Sequence, residues 1–273
     1  MGPIGGLHDA PNRNPDRRAR ARADDEHVAT DARLRVLRVG GDPGALGRPG
    51  LARFRAVAEL RVRGPGPAGI ETLPELTSLL LMGAWRFEGA GFASLPGLLS
   101  LTLRQDASSP SGLPDDVGAL RALRVLKLIG SSRERLAVPA CDFPALRELA
   151  IEELDVGAGL ARLIAQPGLE QVELRCSPSL PGDVGAAATL RSLTVEHAPG
   201  RDRPGLEHLT ALRRLEIGGL ALDPAETLQR AAALPALVIW SYSQAPSDVN
   251  EAPVFVGFTL TYASRQCMRS RSA

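Results

Sequence analysis

Residues 113–128 read LPDDVGALRALRVLKL, and the last six of them follow the pattern L-x-x-L-x-L. Leu126 and Leu128 stand two residues apart, with the charged Lys127 between them. A spacing of two is typical of a β-strand that buries one face and exposes the other. The stretch therefore predicts a short half-buried strand over residues 123–128, preceded by a turn that begins at a Leu-Pro pair.

The same pattern recurs along most of the chain, with its central position repeated every 19 to 25 residues. The copies are LRVLRV (34–39), VAELRV (57–62), LTSLLL (76–81), LLSLTL (98–103), LRVLKL (123–128), LRELAI (146–151), LEQVEL (169–174), LRSLTV (190–195), LRRLEI (212–217) and a degenerate LVIWSY (237–242). A strand of six residues cannot bury its apolar face alone, so neighbouring units must stack. The repeat predicts a parallel sheet over one continuous leucine core.

In period and pattern, the chain resembles the leucine-rich-repeat family over residues 34–243. Four copies also carry the upstream Leu-Pro of the family's longer consensus: Leu73-Pro74, Leu95-Pro96, Leu113-Pro114 and Leu180-Pro181. The resemblance implies an α/β fold, a horseshoe-shaped solenoid with the parallel sheet on its concave face. Turns, 3₁₀ segments and short helices are then expected on the convex side.

One departure from the family pattern concerns the position three residues after the last leucine of each copy. The family places Asn or Cys there to cap turn backbone groups, but no copy has Asn. Four copies have a short polar residue instead, namely Asp42, Asp106, Ser131 and Ser177. We therefore expect the inner polar ladder to be broken and the turn geometry to vary from repeat to repeat.

The composition divides the chain into three parts. Residues 1–30 are rich in Pro, Gly, Arg and Asp and predict a disordered N-terminal arm. Residues 31–245 form the repeat domain of nine to ten units, with helices predicted at 159–166 and after the N-cap residue Asp223. Residues 246–273 contain the alternating VFVGFTLTY (254–262), which predicts a strand that caps the solenoid, followed by a tail.

Composition and charge also exclude several function classes. A formal net charge of +1 gives no field for nucleic acid or an anionic membrane. Three cysteines without C-x-x-C spacing argue against a disulfide framework, a metal site or a redox site. The longest apolar stretch, 231–240, is too short to span a bilayer. We predict a cytoplasmic monomer that binds no cofactor, metal, nucleic acid or membrane.

Few residues suggest catalysis. The stretch GPGPAG at 64–69 matches a dinucleotide-binding fingerprint, but its prolines lack the amide donors that a phosphate cradle needs. The sole lysine, Lys127, is not part of a phosphate-binding loop motif. Cys176 and His197 occupy one motif position in consecutive repeats, so a hydrolase that uses this pair stays open as an alternative. We predict that the chain is not an enzyme.

The third, fifth and seventh positions of each repeat should face solvent on the concave side. In the first five repeats these positions carry five basic residues and one acidic residue, and in the next four they carry five acidic and two basic ones. The candidate binding residues are Arg61, Arg63, Leu80, Met82, Arg104, Lys127, Ile129, Glu152, Glu173, Glu196 and Glu216. An apolar zone, to which Val125 also belongs, separates the two poles.

An apolar patch flanked by opposite charges is suited to protein recognition. Since the resemblance implies binding proteins, we expect a noncatalytic scaffold that holds a partner protein on its concave face. An inhibitor or immunity-type module, which occludes the active site of another protein, is the alternative.

Overall fold

The computed structural model of the chain describes residues 34–40, 51–64, 67, 69–83, 91–105, 112–130, 135–176, 187–196, 206–218, 234–243 and 258–261. Its strands are β1 (Val36–Val39), β2 (Glu59–Arg63), β3 (Ser78–Met82), β4 (Ser100–Arg104), β5 (Val125–Ile129), β6 (Glu148–Glu152), β7 (Gln171–Arg175), β8 (Ser192–Glu196), β9 (Arg214–Gly218), β10 (Ile239–Ser243) and β11 (Phe258–Thr261). They form one sheet in which spatial order equals chain order, and β1 to β10 are all parallel.

The register of the sheet follows the repeat. Leu79 pairs with Leu101, Leu101 pairs with Leu126, and the same motif position continues in line through the other parallel strands. A shift by one residue would turn the leucines to solvent, so burial of this face fixes the register. The predicted fold is confirmed: the chain forms a leucine-rich-repeat solenoid with one strand per repeat.

The core is continuous along the sheet and consists mostly of motif leucines. Leu101, Leu126 and Leu149 each have 0% of their surface exposed. Two phenylalanines, Phe92 and Phe143, lie in the segments that return from one strand to the next and are also fully buried. Each repeat therefore covers the apolar face of its neighbours, as solenoid packing requires.

The return segments are built from tight turns that place leucines three residues apart. The amide of Leu73 donates to the carbonyl of Ile70 at 3.2 Å, and the amide of Leu76 donates to that of Leu73 at 3.3 Å. Similar turns form the 3₁₀ segments Ile70–Thr72, Phe92–Ser94, Asp115–Ala119 and Leu206–His208. These segments match the expected convex side of turns and 3₁₀ pieces.

Of the two predicted helices, the first is confirmed and the second falls outside the described residues. Helix α1 (Gly159–Ile164) buries Leu160 and Leu163 and ends before Pro167. The helix expected after Asp223 belongs to a stretch that the structure does not describe.

Buried Gln166 joins two successive repeats behind the sheet. Its side-chain oxygen accepts the amide of Phe143 at 2.8 Å, and its side-chain nitrogen donates to the carbonyl of Arg162 at 3.0 Å. Residues 143 and 166 occupy the same position in consecutive return segments. The side-chain amide of Gln166 thus links the return segments of two consecutive repeats.

The turns after the strands vary, as expected. Backbone φ is positive at Gly64, Gly83, Glu153 and Cys176, whereas the equivalent Gln105 has no positive φ. A left-handed conformation costs a residue other than glycine about 1–2 kcal/mol. In this conformation the amide of Glu153 donates a hydrogen bond to the carbonyl of Arg175 at 2.9 Å. The backbone therefore continues the sheet ladder by one residue beyond β6.

The four polar residues noted at the ladder position, Asp42, Asp106, Ser131 and Ser177, lie outside the described residues. Leu154 stands at that position after β6 and is fully buried. In this repeat an apolar contact occupies the place of the polar cap.

The last strand differs from the others in direction. β11 pairs with β10 in antiparallel fashion, with Leu260 opposite Trp240. The strand predicted within 254–262 is therefore present at Phe258–Thr261, and the remainder of that stretch and the predicted arm at 1–30 lie outside the described residues. Within the described part of the chain, the helices are too short and too polar to cross a bilayer.

Candidate functional site

All eleven predicted binding residues lie on the solvent-facing side of the sheet, for which we keep the name concave face. Residues of β5 alternate between buried Leu126 and Leu128 and partly exposed Val125, Lys127 and Ile129. The neighbouring strands repeat that alternation in register. At about 4.8 Å between strands, the residues from β2 to β9 extend over about 34 Å.

The predicted apolar zone between the poles is divided in the structure, because β4, with Ser100, Thr102 and Arg104 on this face, lies between the apolar residues of β3 and those of β5. Leu80, Met82, Val125 and Ile129 are half-buried, because residues on adjacent strands cover each other's flanks. Sequence reasoning missed one member, Ala150, which pairs with Lys127 across β5 and β6. Its methyl group leaves a depression where its neighbours have long side chains.

The depression has a volume of about 230 Å³ and spans three strands. It is lined by Lys127, Leu128, Ile129, Ala150, Ile151, Glu152, Glu173 and Arg175. Ile129 and Ala150 contribute apolar side chains, Leu128 and Ile151 contribute backbone only because their side chains are buried in the core, and the other four residues are charged. The short alanine could be read from the sequence, but its place between two long side chains depends on the register.

The basic pole contains both paired and outward-facing arginines. The guanidinium of Arg61 donates to the carboxylate of Glu59 on the same strand. Arg63 and Arg104 are exposed at the ends of β2 and β4, with half-buried Met82 between them. Two of the three arginines of the basic pole therefore lie at the carboxyl ends of their strands.

Arginine side chains lie among the carboxylates of the acidic pole. Arg175 contacts Glu173, and its Nε lies 3.6 Å from a carboxylate oxygen of Glu196. Burial alone would lower the pKa of the Arg175 guanidinium, but Glu196, Glu173 and Glu152 together raise it above its ordinary value. Arg175 therefore contacts two of the four predicted acidic residues, Glu173 and Glu196, and is influenced by the charge of a third, Glu152.

Two further contacts reduce the contrast between the poles. Glu216 accepts hydrogen bonds from Arg214, at 3.0 Å to Nε, and from the hydroxyl of Thr194 at 3.2 Å. Lys127, assigned from the sequence to the basic pole, forms an ion pair with Glu148 at 2.9 Å. The sequence indicated the sign of each position, but these pairings depend on which strands are neighbours.

Of the two residues considered for catalysis, Cys176 and His197, the structure describes only the first. Cys176 is half-buried just after β7, and its amide donates to the carbonyl of Glu196 at 2.9 Å, while His197 lies outside the described residues. Burial, followed by the charge of Asp142, raises the pKa of the Cys141 thiol on the opposite side of the core. Among the described residues, no group of three or more potential ligands is arranged to hold a metal ion.

Comparisons with known proteins add the following. No family model and no curated protein matches the sequence. The chain is similar to a leucine-rich-repeat protein of Leptospira interrogans, at 13% identity and a TM-score of 0.44, over 76% of this chain and 70% of that one. An internalin of Listeria monocytogenes is similar at 16% identity and a TM-score of 0.32, over 72% of this chain and 70% of its own. The fold assignment rests on the register and core of this chain itself.

Proposed function

We propose that the chain is a noncatalytic scaffold that binds a partner protein on its concave face. The observation that carries this proposal is the depression around Ala150, which lies at the centre of the face and combines two apolar side chains with four charged ones. Energetically dominant contacts cluster at the centre of protein interfaces, where water is excluded. The position and lining of the depression agree with that arrangement.

The size of the depression favours a side chain of a protein over a metabolite. Small-molecule pockets measure about 300–1,000 Å³, whereas this one has about 230 Å³. The charges around it are Lys127 and Arg175 against the four carboxylates of Glu148, Glu152, Glu173 and Glu196. We therefore expect a basic side chain of the partner to enter the depression.

The two poles then set the orientation of the partner. An acidic region of the partner is expected on Arg61, Arg63 and Arg104, and a basic region on Glu152, Glu173, Glu196 and Glu216. Complementary charges of this kind affect the association rate and orientation more than raw affinity. We further propose that the scaffold acts as a monomer in the cytoplasm.

Charge reversal tests the proposal. The full chain is immobilised, bound proteins are identified by mass spectrometry, and the dissociation constant of the recovered partner is measured. We expect R61E/R63E/R104E and E152R/E173R/E196R each to weaken binding about tenfold or more, the loss of about 1.4 kcal/mol. The matched control is R53E/R55E/R162E, which reverses three exposed arginines in return segments.

The outcomes distinguish partner binding on the concave face from partner binding elsewhere on the molecule. Binding that survives both concave variants but is lost in the control would place the partner on the convex side. Circular dichroism and thermal melting of each variant verify that the fold is intact. A leucine in place of Ala150, which fills the depression without changing charge, provides an independent variant and should also weaken binding.

A further inference from the structure

A row of arginines lies at the amino ends of the strands, beside the concave face but separate from its three outward-facing positions. The second position of the motif, just before each strand, is arginine in four of five consecutive repeats: Arg124, Arg147, Arg191 and Arg213. Glu170 occupies the fifth place, before β7. All four arginines are exposed. We call this row the arginine edge.

Backbone hydrogen bonds hold the row in line. The amide of Arg147 donates to the carbonyl of Arg124 at 2.8 Å, and the amide of Glu170 donates to that of Arg147 at 2.9 Å. Arg191 and Arg213 continue the ladder, each bonded at 2.8 Å to the preceding member. Five residues at the strand spacing of about 4.8 Å form a line of about 19 Å.

The positive charge of this edge is only partly neutralised. Glu170 is engaged by Arg147, at 2.9 Å between Nη1 and Oε1. Arg124, Arg191 and Arg213 form no ion pair with any residue that the structure describes. Four arginines and one glutamate give the row a net charge of +3, whereas the entire chain carries +1.

The surroundings leave the edge open to a ligand. The described turn residues on its convex side are small or uncharged, with one further exposed arginine: Arg121, Ala122, Pro144, Ala145, Pro167, Gly168, Ala188, Thr189, Thr210 and Ala211. On the concave side, Lys127 binds the carboxylate of Glu148 and Arg214 binds that of Glu216. The acidic groups closest in sequence are Asp142, in the turn before Arg147, and Glu170, which stands between Arg147 and Arg191 and is bound by Arg147.

We propose that the arginine edge docks an acidic segment of a partner protein. Guanidinium groups bind carboxylates through paired hydrogen bonds, and a line of them suits an extended acidic chain.

Proteins that bind single-stranded nucleic acid also use exposed aromatic side chains on which the bases stack. Phe143 is the one aromatic residue in the described turns beside the edge, and it is fully buried. The edge therefore favours an acidic polypeptide over a nucleic acid.

The test uses the full chain and a fluorescein-labelled oligoglutamate peptide, followed by fluorescence anisotropy. R124E/R191E/R213E should weaken peptide binding about tenfold, since it replaces three exposed attractive charge pairs with repulsion. R53E/R55E/R162E removes the same charge from return segments and should weaken it less than about twofold. A milder variant, R124Q/R191Q/R213Q, should give an intermediate loss of peptide binding. Because it removes charge without reversing it, it tests whether the loss in the reversed variant results from misfolding.

Three results would overturn the proposal. The first is equal loss in R124E/R191E/R213E and its control, which would indicate attraction by net charge alone. The second is a larger loss in R61E/R63E/R104E, which would place the peptide on the concave face. The third is tighter binding of oligouridine RNA of equal length than of the peptide. The first and third results leave the concave-face proposal untouched, and the second would favour it over the arginine edge, so the two proposals fail separately.

Discussion

The motifs that contain strands β1 and β5 begin with the same four residues, and yet the two strands differ in burial. Both motifs start with LRVL, at 34–37 and at 123–126. Leu126 is fully buried, whereas Leu37 is only partly buried. Val36 has 42% of its surface exposed, and its counterpart Val125 is half-buried.

The difference arises from the position of each strand in the stack. β5 is flanked by β4 and β6, while the described part of the chain gives β1 a single neighbour, β2. In a solenoid, each repeat gains its burial from the repeats on both sides. Identical local sequence therefore yields unequal stability along the molecule, and paired substitutions in the two repeats can measure that inequality.

The largest effect is expected from truncation of the leucine side chain at the fourth position of the motif. Leu126→Ala should lower the free energy of unfolding by about 2–5 kcal/mol, because it opens a cavity in a closed core. Leu37→Ala should cost about 1 kcal/mol, because its side chain is already partly in water. Urea denaturation followed by circular dichroism measures both. Equal losses would contradict the comparison and mean that β1 is covered as completely as β5.

A smaller effect is expected from the glycines that directly follow the two strands. A Cβ added at Gly130 would lie 2.4 Å from the carbonyl oxygen of Glu153, whereas one added at Gly40 meets nothing within 4 Å. Gly130→Ala should therefore cost about 1–3 kcal/mol through overpacking against backbone. Gly40→Ala serves as the matched control and should leave the melting temperature nearly unchanged. A destabilised Gly40→Ala would show that the end of β1 is more crowded than the contacts indicate.

The smallest effect concerns the cations at the fifth motif position. Lys127 forms an ion pair with Glu148, whereas its counterpart Arg38 forms none with the residues that the structure describes. Because the pair is partly exposed, Lys127→Met should cost less than about 1 kcal/mol, and the cost should shrink as salt is added. Arg38→Met should cost less still. A double-mutant cycle with Glu148→Gln isolates the pair, and a coupling energy of zero would refute its contribution.

Much of the fold could be predicted from the sequence because the repeat is local and redundant. Each copy of the motif specifies which side of its strand is buried, so the register of Leu101 against Leu126 follows from pattern alone. The helix at Gly159–Ile164 could also be predicted. The hydrogen bond by which Gln166 links two repeats could not be predicted, since it depends on the distance between its side-chain amide and Phe143 in the preceding repeat.

The candidate site, too, could be predicted from the sequence only in part. The sequence identified the residues of the concave face and their charges. It did not show that Arg175 gathers Glu173 and Glu196, that Lys127 is held by Glu148, or that Ala150 leaves a depression. These features need side chains from two or three strands at known separations.

The sequence by itself determined the period, the strand in each repeat, the buried side of each strand and the sign of every exposed position. All of these properties belong to single repeats, and local periodicity encodes them. Only the tertiary structure decided which charges neutralise one another, where the concave face is indented and which arginines form a straight edge. Such properties arise between repeats, because the stacking of strands about 4.8 Å apart brings together residues that are more than 20 positions distant in the chain.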